Sequence, residues 1–191
     1  MPAKFRLLSV LLIATSICAH AQTAPDLTGD LDPYFDTRFG FPSLDLFTEV
    51  AAAGETGVYI GGSFKSVAKL RIQGLTRWDG KRFHNMGVTG PVAAIAAANG
   101  FVYAGGSFQV DAGGTIARGI ACWDERKSTW SALGTGIGPR TEDRSSGSIR
   151  AIAAYGSEVH VAGNFASIDG VAAAGLARWN GSSWSPVVQR V

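Results

Sequence analysis

The chain has 191 residues, of which 46% are hydrophobic and 17% charged, and its 17 basic and 15 acidic residues give a formal net charge of +2. A nucleic-acid-binding protein usually carries a basic surplus that is gathered on one face, and no such cluster occurs in this sequence. The same balance argues against adhesion to a membrane through a polybasic patch. We therefore expect neither a nucleic acid nor a membrane surface as a partner.

Residues 1–22 predict a secretory signal peptide. Lys4 and Arg6 precede an apolar run from Leu7 to Ala14, and Ala19-His20-Ala21 supplies small residues at alternate positions before a cleavage site. The apolar run is short for a membrane span, which leaves an uncleaved signal anchor as the alternative. We expect a secreted or periplasmic protein that has no membrane span after cleavage of the signal.

Cleavage would change both the charge and the cysteine content. About 169 residues remain, enough for one domain with a core, and the loss of Lys4 and Arg6 leaves 15 basic residues against 15 acidic ones. Cys18 is lost as well, so that Cys122 cannot form an intramolecular disulfide or a CxxC zinc site. We interpret Cys122 as an ordinary strand residue, with a reactive or intermolecular thiol as the alternative.

Residues 23–46 contain three of the seven prolines together with many Asp, Gly and Thr residues, which argues against a long helix or a regular strand. The run from Tyr34 to Phe41 nevertheless holds four aromatic residues, more than a solvated linker needs. We therefore expect residues 23–46 to form a leader segment that packs on the first repeat.

Three copies of one unit occupy the rest of the chain, residues 47–191, which we predict to be one domain. In each copy an aromatic residue follows a glycine after two positions, a Trp follows 14 or 15 positions later, and a further aromatic residue comes after that. All five tryptophans fall on this grid. The structural repeat positions are Gly62, Phe64, Trp78 and Phe83; Gly106, Phe108, Trp123 and Trp130; and Gly163, Phe165, Trp179 and Trp184.

Each copy predicts four short strands, because apolar and β-branched runs are bounded by Gly, Asn and Asp. Asp79-Gly80 and Asn180-Gly181 predict tight hairpins between the third and fourth strands. The middle copy has a longer, charged turn over residues 124–128 in this place. The sequence therefore predicts an all-β protein of antiparallel four-stranded units.

A pair of small residues ends the second strand of each copy: Gly61-Gly62, Gly105-Gly106 and Ala162-Gly163. A missing side chain there permits a bulge or lets another backbone approach, so we expect neighbouring sheets to crowd together at these points. A phosphate-binding loop is the rival interpretation, but it needs a helix after the glycines, and none is predicted.

Four-stranded units of about 44 residues fit the blades of a β-propeller. The sequence resembles the Kelch and galactose-oxidase type of propeller through Gly105-Gly106, Trp123, Trp130 and Leu133-Gly134. It is also similar to the GGxF…WDG..W..LG repeats of secreted bacterial proteins and of the fungal cortical marker of cell polarity. The resemblance covers roughly residues 47–188. It implies a propeller fold but no particular chemistry. WD40 repeats are the weaker match, because the Gly-His dipeptide of that family is missing.

About three blades are predicted, whereas known propellers close with roughly four to eight. Three sheets alone would leave strand edges and blade faces unprotected, which invites pairing with another chain. The chain is therefore either a partial propeller from a longer family or one that self-associates, for example as a six-bladed dimer. In a third alternative, residues 23–46 cover one open face.

The largest break in the repeat predicts a recognition loop. Trp130 and Ile149 are 19 positions apart, whereas Phe83 and Val92 are 9 apart, and the extra residues fall within 138–148. Loops carry recognition more often than the scaffolds beneath them. The candidate recognition residues are Arg140, Glu142, Asp143 and Arg144. A disordered, solvated loop is the alternative.

No catalytic, cofactor-binding or metal-binding residues are predicted. Galactose-oxidase-like proteins hold copper with a Tyr cross-linked to Cys and with further Tyr and His ligands, and Cys122, His84 and His160 lie in no matching motif. Asp111 and Asp169 lie in glycine-containing turns without a calcium-loop pattern. The sequence thus favours an exported, non-catalytic binding or structural module for a protein or glycan ligand. A remnant or subunit of a glycan-oxidising or glycan-hydrolysing propeller enzyme is the alternative.

Overall fold

The structure, a computed structural model, describes residues 48–68, 70–139 and 147–187. The predicted signal peptide, the leader at residues 23–46 and the loop residues Arg140, Glu142, Asp143 and Arg144 lie outside these ranges. Within them the regular secondary structure consists of strands. No helix of this part of the chain is long and apolar enough to cross a membrane.

The strands, of two to eleven residues, follow one another at short intervals because glycines and Asx residues form turns between them. The described ranges contain fourteen strands. They are β1 (Thr48–Ala53), β2 (Val58–Gly62), β3 (Leu75–Trp78), β4 (Phe83–Asn85), β5 (Val92–Ala98), β6 (Phe101–Asp111), β7 (Ile116–Asp124), β8 (Thr129–Ala132), β9 (Ser148–Tyr155), β10 (Glu158–Asn164), β11 (Ser167–Ile168), β12 (Val171–Ala172), β13 (Leu176–Trp179) and β14 (Trp184–Pro186).

Twelve of these strands form three antiparallel sheets of four. Blade 1 has the order β1-β2-β3-β4, blade 2 has β5-β6-β7-β8, and blade 3 has β9-β10-β13-β14. The remaining pair, β11 and β12, forms a small hairpin between the second and third strands of blade 3. The first strands of successive blades contact one another, β1 with β5 and β5 with β9. The predicted all-β class and the three four-stranded blades are confirmed.

Each blade has two faces, because successive side chains of a strand point to opposite sides and paired residues share a side. We call the side turned toward the following blade the back face and the other side the front face. On the second strands, the back-face positions are Tyr59 and Gly61, Tyr103 and Gly105, and His160 and Ala162. The front-face positions are Val58 and Ile60, Val102 and Ala104, and Val159 and Val161.

Two apolar cores lie between the blades. In the first, Tyr59 and Leu75 from the back face of blade 1 pack with front-face residues of blade 2 such as Val102. In the second, Ile120 from the back face of blade 2 packs with front-face residues of blade 3 such as Val161. All five are at least 99% buried. Each blade is therefore stabilised by its neighbours rather than by a core of its own.

The first glycine of the pair creates room for the next blade. A Cβ at Gly61 would lie 2.9 Å from Val92 Cγ1 and 3.1 Å from Ile95 Cδ1, and one at Gly105 would lie 2.6 Å from Ile149 Cγ2. The contacts below 3.0 Å are closer than real Cβ atoms accept, and the contact of 3.1 Å is tight. The predicted crowding of neighbouring sheets at this position is confirmed.

The second glycine serves a β-bulge within the blade. A Cβ at Gly106 would overlap the carbonyl oxygen of Pro91, and one at Gly163 would overlap that of Ser148. The register of the first two strands shifts at this point in all three blades. The bulge brings the start of the first strand close against the glycine, as bulges commonly do in strongly twisted sheets.

Candidate recognition cleft

A cleft with a volume of about 470 Å³ opens between blades 2 and 3, at the end of the blades where β6 connects to β7. Its walls are formed by polar residues of blade 2 and by the two described ends of the 138–148 insertion. The lining includes Thr89, Ser107, Gln109, Arg118, Pro139 and Gly147.

The blade 2 wall is an arm formed by the outer parts of β6 and β7. The strands continue beyond Gly105 through a register shift and pair again from Gln109 with Arg118 to Asp111 with Ile116. Phe108 and Val110 are buried, whereas Gln109 between them is exposed. Because Gln109 and Arg118 are cross-strand partners, their side chains share the exposed face of the arm.

Backbone hydrogen bonds hold the arm against the chain that leads into blade 2. The N–H of Thr89 donates to Gln109 O over 2.8 Å, and the N–H of Gln109 donates to Thr89 O over 2.9 Å. This reciprocal pair of hydrogen bonds fixes the position of the Gln109 backbone relative to Thr89. Gln109 and Arg118 therefore stand on paired strands and not on a free loop.

Both described ends of the insertion are fixed at the cleft. The N–H of Gly138 donates to Ser167 O over 2.9 Å, and Pro139 O accepts from the N–H of Ala166 over 3.2 Å, so one end is attached to blade 3. At the other end, Ser107 Oγ of blade 2 donates to Gly147 O over 3.0 Å. The two described ends of the insertion, Pro139 and Gly147, therefore line the same cleft as Gln109 and Arg118.

The repeated aromatic residues lie in the packing between strands and blades. Phe64, Phe108 and Phe165 are buried. The other aromatic positions form a pair on the front face of each blade, with ring centroids 4.7 Å apart for Trp78–Phe83, 5.3 Å for Trp123–Trp130 and 5.4 Å for Trp179–Trp184. These separations are typical of aromatic pairs that stabilise a core. None of the twelve repeat positions except Phe108 lines the cleft.

Two of the tryptophans form hydrogen bonds to the preceding blade, one from blade 2 to blade 1 and one from blade 3 to blade 2. Trp130 Nε1 donates to Met86 O over 2.7 Å, and Trp184 Nε1 donates to Leu133 O over 2.9 Å. Each acceptor lies just beyond the fourth strand of the preceding blade. The fourth-strand Trp thus combines apolar burial with a directed bond between blades.

Glu125 forms a second link between blades, and the sequence reasoning missed it. Its carboxylate accepts hydrogen bonds from the N–H groups of Glu55 and Thr56 over 2.8 and 2.9 Å, from Thr56 Oγ1 over 2.8 Å and from Tyr59 Oη over 3.1 Å. Burial acts to raise the pKa of Glu125, but these hydrogen bonds outweigh it and lower the pKa. The longer middle turn therefore fastens blade 2 to the β1–β2 turn of blade 1.

Cys122 lies on the back face of blade 2 opposite Tyr103. Burial raises the pKa of the Cys122 thiol to about 12, and burial likewise raises the pKa of Tyr103 to about 12. A thiol with so high a pKa forms little thiolate and reacts slowly. This agrees with Cys122 being an ordinary strand residue.

The remaining polar groups that the sequence singled out stabilise turns and strands. His84 Nε2 lies 2.6 Å from Asp79 Oδ2, and His160 Nε2 lies 3.6 Å from Glu158 Oε2. Asp111 Oδ1 accepts from the N–H of Gly114, and Asp169 Oδ1 accepts from the N–H of Thr135, each over 2.7 Å. The described ranges contain no group of three or more His, Cys, Asp or Glu side chains that is arranged to hold a metal ion.

A scan of the chain against protein-family models and a search of curated proteins each found no match.

Proposed function

We propose that the protein is an exported, non-catalytic binding module built from Kelch-like propeller repeats, and that it binds its ligand in the cleft between blades 2 and 3. The observation that carries the proposal is that the hydrogen-bonded polar arm and the two fixed ends of the insertion line the same cleft. Polar groups held on a preformed surface in this way are typical of binding sites.

The chemistry of the described lining favours a glycan as the ligand. Gln109 offers an amide with donors and an acceptor, Arg118 offers a guanidinium, and Thr89 and Ser107 offer hydroxyl groups. These groups can hydrogen-bond to the hydroxyls of a sugar, and the half-buried Ile137 adds an apolar surface to the cleft. Arg118 in the described part of the lining could also pair with the carboxylate of an acidic sugar.

The positions of the perturbed ionisable groups support a binding role over a catalytic one. The pKa of Glu125 is lowered and that of Cys122 is raised, which would mark both as candidates for chemistry. Both are instead engaged in contacts within or between blades, away from the cleft. Their pKa shifts are accounted for by structural hydrogen bonds and burial.

A glycan array probed with the purified protein tests the proposal. We expect binding to a restricted set of glycans and a loss of at least tenfold in affinity for the variant Gln109→Ala/Arg118→Ala, because both side chains stand on the exposed face of the arm. Arg71→Ala is the matched control, since it removes an exposed arginine from blade 1 outside the cleft.

Three outcomes of this experiment would count against the proposal. The first is an array without any binding, and the second is an equal affinity of the wild type and the double variant. The third is hydrolysis or oxidation of the bound glycan, which would support the carbohydrate-active enzyme instead.

A further inference from the structure

The back face of blade 3 is open, although it repeats positions that are covered in blades 1 and 2. Leu75, Ile120 and Leu176 occupy the same place, opposite the first residue of the small pair in each blade. Leu75 and Ile120 are fully buried, whereas 40% of Leu176 is exposed. Tyr155 and Val187 on this side are also exposed, by 87% and 40%.

The covered faces show what kind of surface fits this position. The back face of blade 1 is covered by the front face of blade 2, and that of blade 2 by the front face of blade 3. The described chain contains one front face without a preceding blade, that of blade 1. There Thr48 is exposed and Val58 and Ile60 are half-buried, whereas the equivalent residues of blades 2 and 3 are at least 99% buried.

The sizes of the facing residues match the back face of blade 3 to the front face of blade 1. In the two internal contacts a glycine faces an isoleucine: Gly61 faces Ile95, and a Cβ at Gly105 would lie 2.8 Å from Ile152 Cδ1. Blade 3 has Ala162 in place of the glycine, so its methyl group would collide with such an isoleucine. Blade 1 has Ala51 in place of the isoleucine, as the register Ala51↔Ile60, Ile95↔Ala104 and Ile152↔Val161 shows.

The charges of the adjoining turns also match. The Glu125 contact shows that the turn between the third and fourth strands of one blade meets the turn between the first and second strands of the preceding blade. In blade 1 the turn between the third and fourth strands carries Lys81 and Arg82, which are exposed. In blade 3 the turn between the first and second strands ends at Glu158, whose side chain is 43% exposed and lies 3.5 Å from Arg178 Nη1. Contact between these turns would bring opposite charges together.

We propose that two copies of the chain associate head to tail, with the back face of blade 3 in each copy packed on the front face of blade 1 in the other. The two equivalent contacts produce a closed ring of six blades, within the range of known propellers. Packing Ala162 against Ala51 at the contact between copies replaces the glycine–isoleucine packing of the internal contacts.

The contact between copies lacks one feature of the internal contacts. Val187 is the counterpart of Met86 and Leu133, whose carbonyl groups accept from Trp130 and Trp184. Blade 1 has Phe83 at the Trp position, and its ring has no N–H to donate. The contact between copies is therefore weaker than the internal ones, and the association depends on concentration.

Sedimentation velocity over a hundredfold range of concentration tests the proposal with a pair of variants. Wild-type protein should shift from one copy to two. Ala51→Ile restores the isoleucine of the internal contacts opposite Ala162, and we expect it to remain a single copy at every concentration. Ala51→Ile/Ala162→Gly recreates the internal glycine–isoleucine pair and should regain the two-copy form. Thermal melting of each variant checks that the blades remain folded.

Three outcomes overturn the proposal: a single-copy wild type at all concentrations, an Ala51→Ile variant that still forms two copies, or particles larger than two copies. The first is also the result if the leader, or a blade of another protein, covers these faces. The cleft is separate from the contact between copies, so glycan binding measured on the same samples tests the proposed function independently.

Discussion

The hydrogen bond from Trp130 to blade 1 gives the sharpest prediction for stability. Trp130→Phe keeps an aromatic ring on the front face but removes the N–H that donates to Met86 O over 2.7 Å. The bond itself contributes about 1 kcal/mol, and the buried carbonyl group of Met86 would lose its partner at a further cost of about 1–2 kcal/mol. We expect the free energy of unfolding to fall by about 2–3 kcal/mol.

Trp123→Phe is the matched control, because the two indoles belong to the same aromatic pair. Trp123 Nε1 is buried and has no hydrogen-bond partner in the described chain. Removing this N–H therefore costs no hydrogen bond, and we expect a loss of less than about 1 kcal/mol. Urea denaturation of both variants, followed by circular dichroism, measures the difference. Equal losses, or a loss below about 0.5 kcal/mol for Trp130→Phe, would refute the assigned bond between blades.

Other residues lead to predictions that can be tested separately. The lowered pKa of Glu125 means that its contribution to stability is complete above the ordinary carboxyl pKa of about 4.3 and is lost as the pH falls through the lower folded-state pKa. Glu125→Gln should thus lower the free energy of unfolding at pH 7 by about 3 kcal/mol. Below pH 4 the free energy of unfolding of this variant should fall less steeply than that of the wild type. Urea denaturation at several pH values measures both, and an equally steep fall in the two proteins would contradict the contact between Glu125 and blade 1. Gly105→Ala should cost about 1–3 kcal/mol through overpacking against Ile149, and a melting temperature unchanged from wild type would disprove the close approach. Because partial burial raises the pKa of Cys122 to about 12, the thiol should react slowly with a disulfide reagent at pH 8 in native protein and fully in urea; rapid native labelling would contradict the raised pKa.

Local pattern was sufficient to predict the strands and their grouping into blades. The spacing from glycine to aromatic residue to Trp is set within one sheet, where strand length and hairpin geometry fix the intervals. The small pairs at the ends of the second strands were correctly assigned to bulges and to close approach. The role of Gly105 follows from a single missing side chain facing the next blade.

Contacts between distant residues could not be predicted in the same way. The sequence shows a longer, charged turn around Glu125, but its partners Glu55 and Thr56 lie about 70 positions away. Nothing in the turn itself distinguishes a buried carboxylate from a solvated one. The partner becomes evident only when blades 1 and 2 are placed side by side.

The arm of the cleft did leave a signal in the sequence. Phe108, Gln109 and Val110 alternate between apolar and polar residues directly after the glycine pair, which is typical of a strand that continues with one face exposed. The prediction ended the second strand at the glycines, whereas β6 runs on to Asp111. The same pattern could therefore have predicted the exposed arm that carries Gln109.

Hydroxyl-radical footprinting of the three equivalent back-face residues tests the central claim most directly, namely that successive blades cover one another and leave blade 3 open to a second copy. The account predicts that Leu75 and Ile120 are protected at every concentration. Leu176 should be modified in dilute protein and become protected as the concentration rises. Modification of Leu75 or Ile120 in the folded protein, or protection of Leu176 that does not change with concentration, would contradict it.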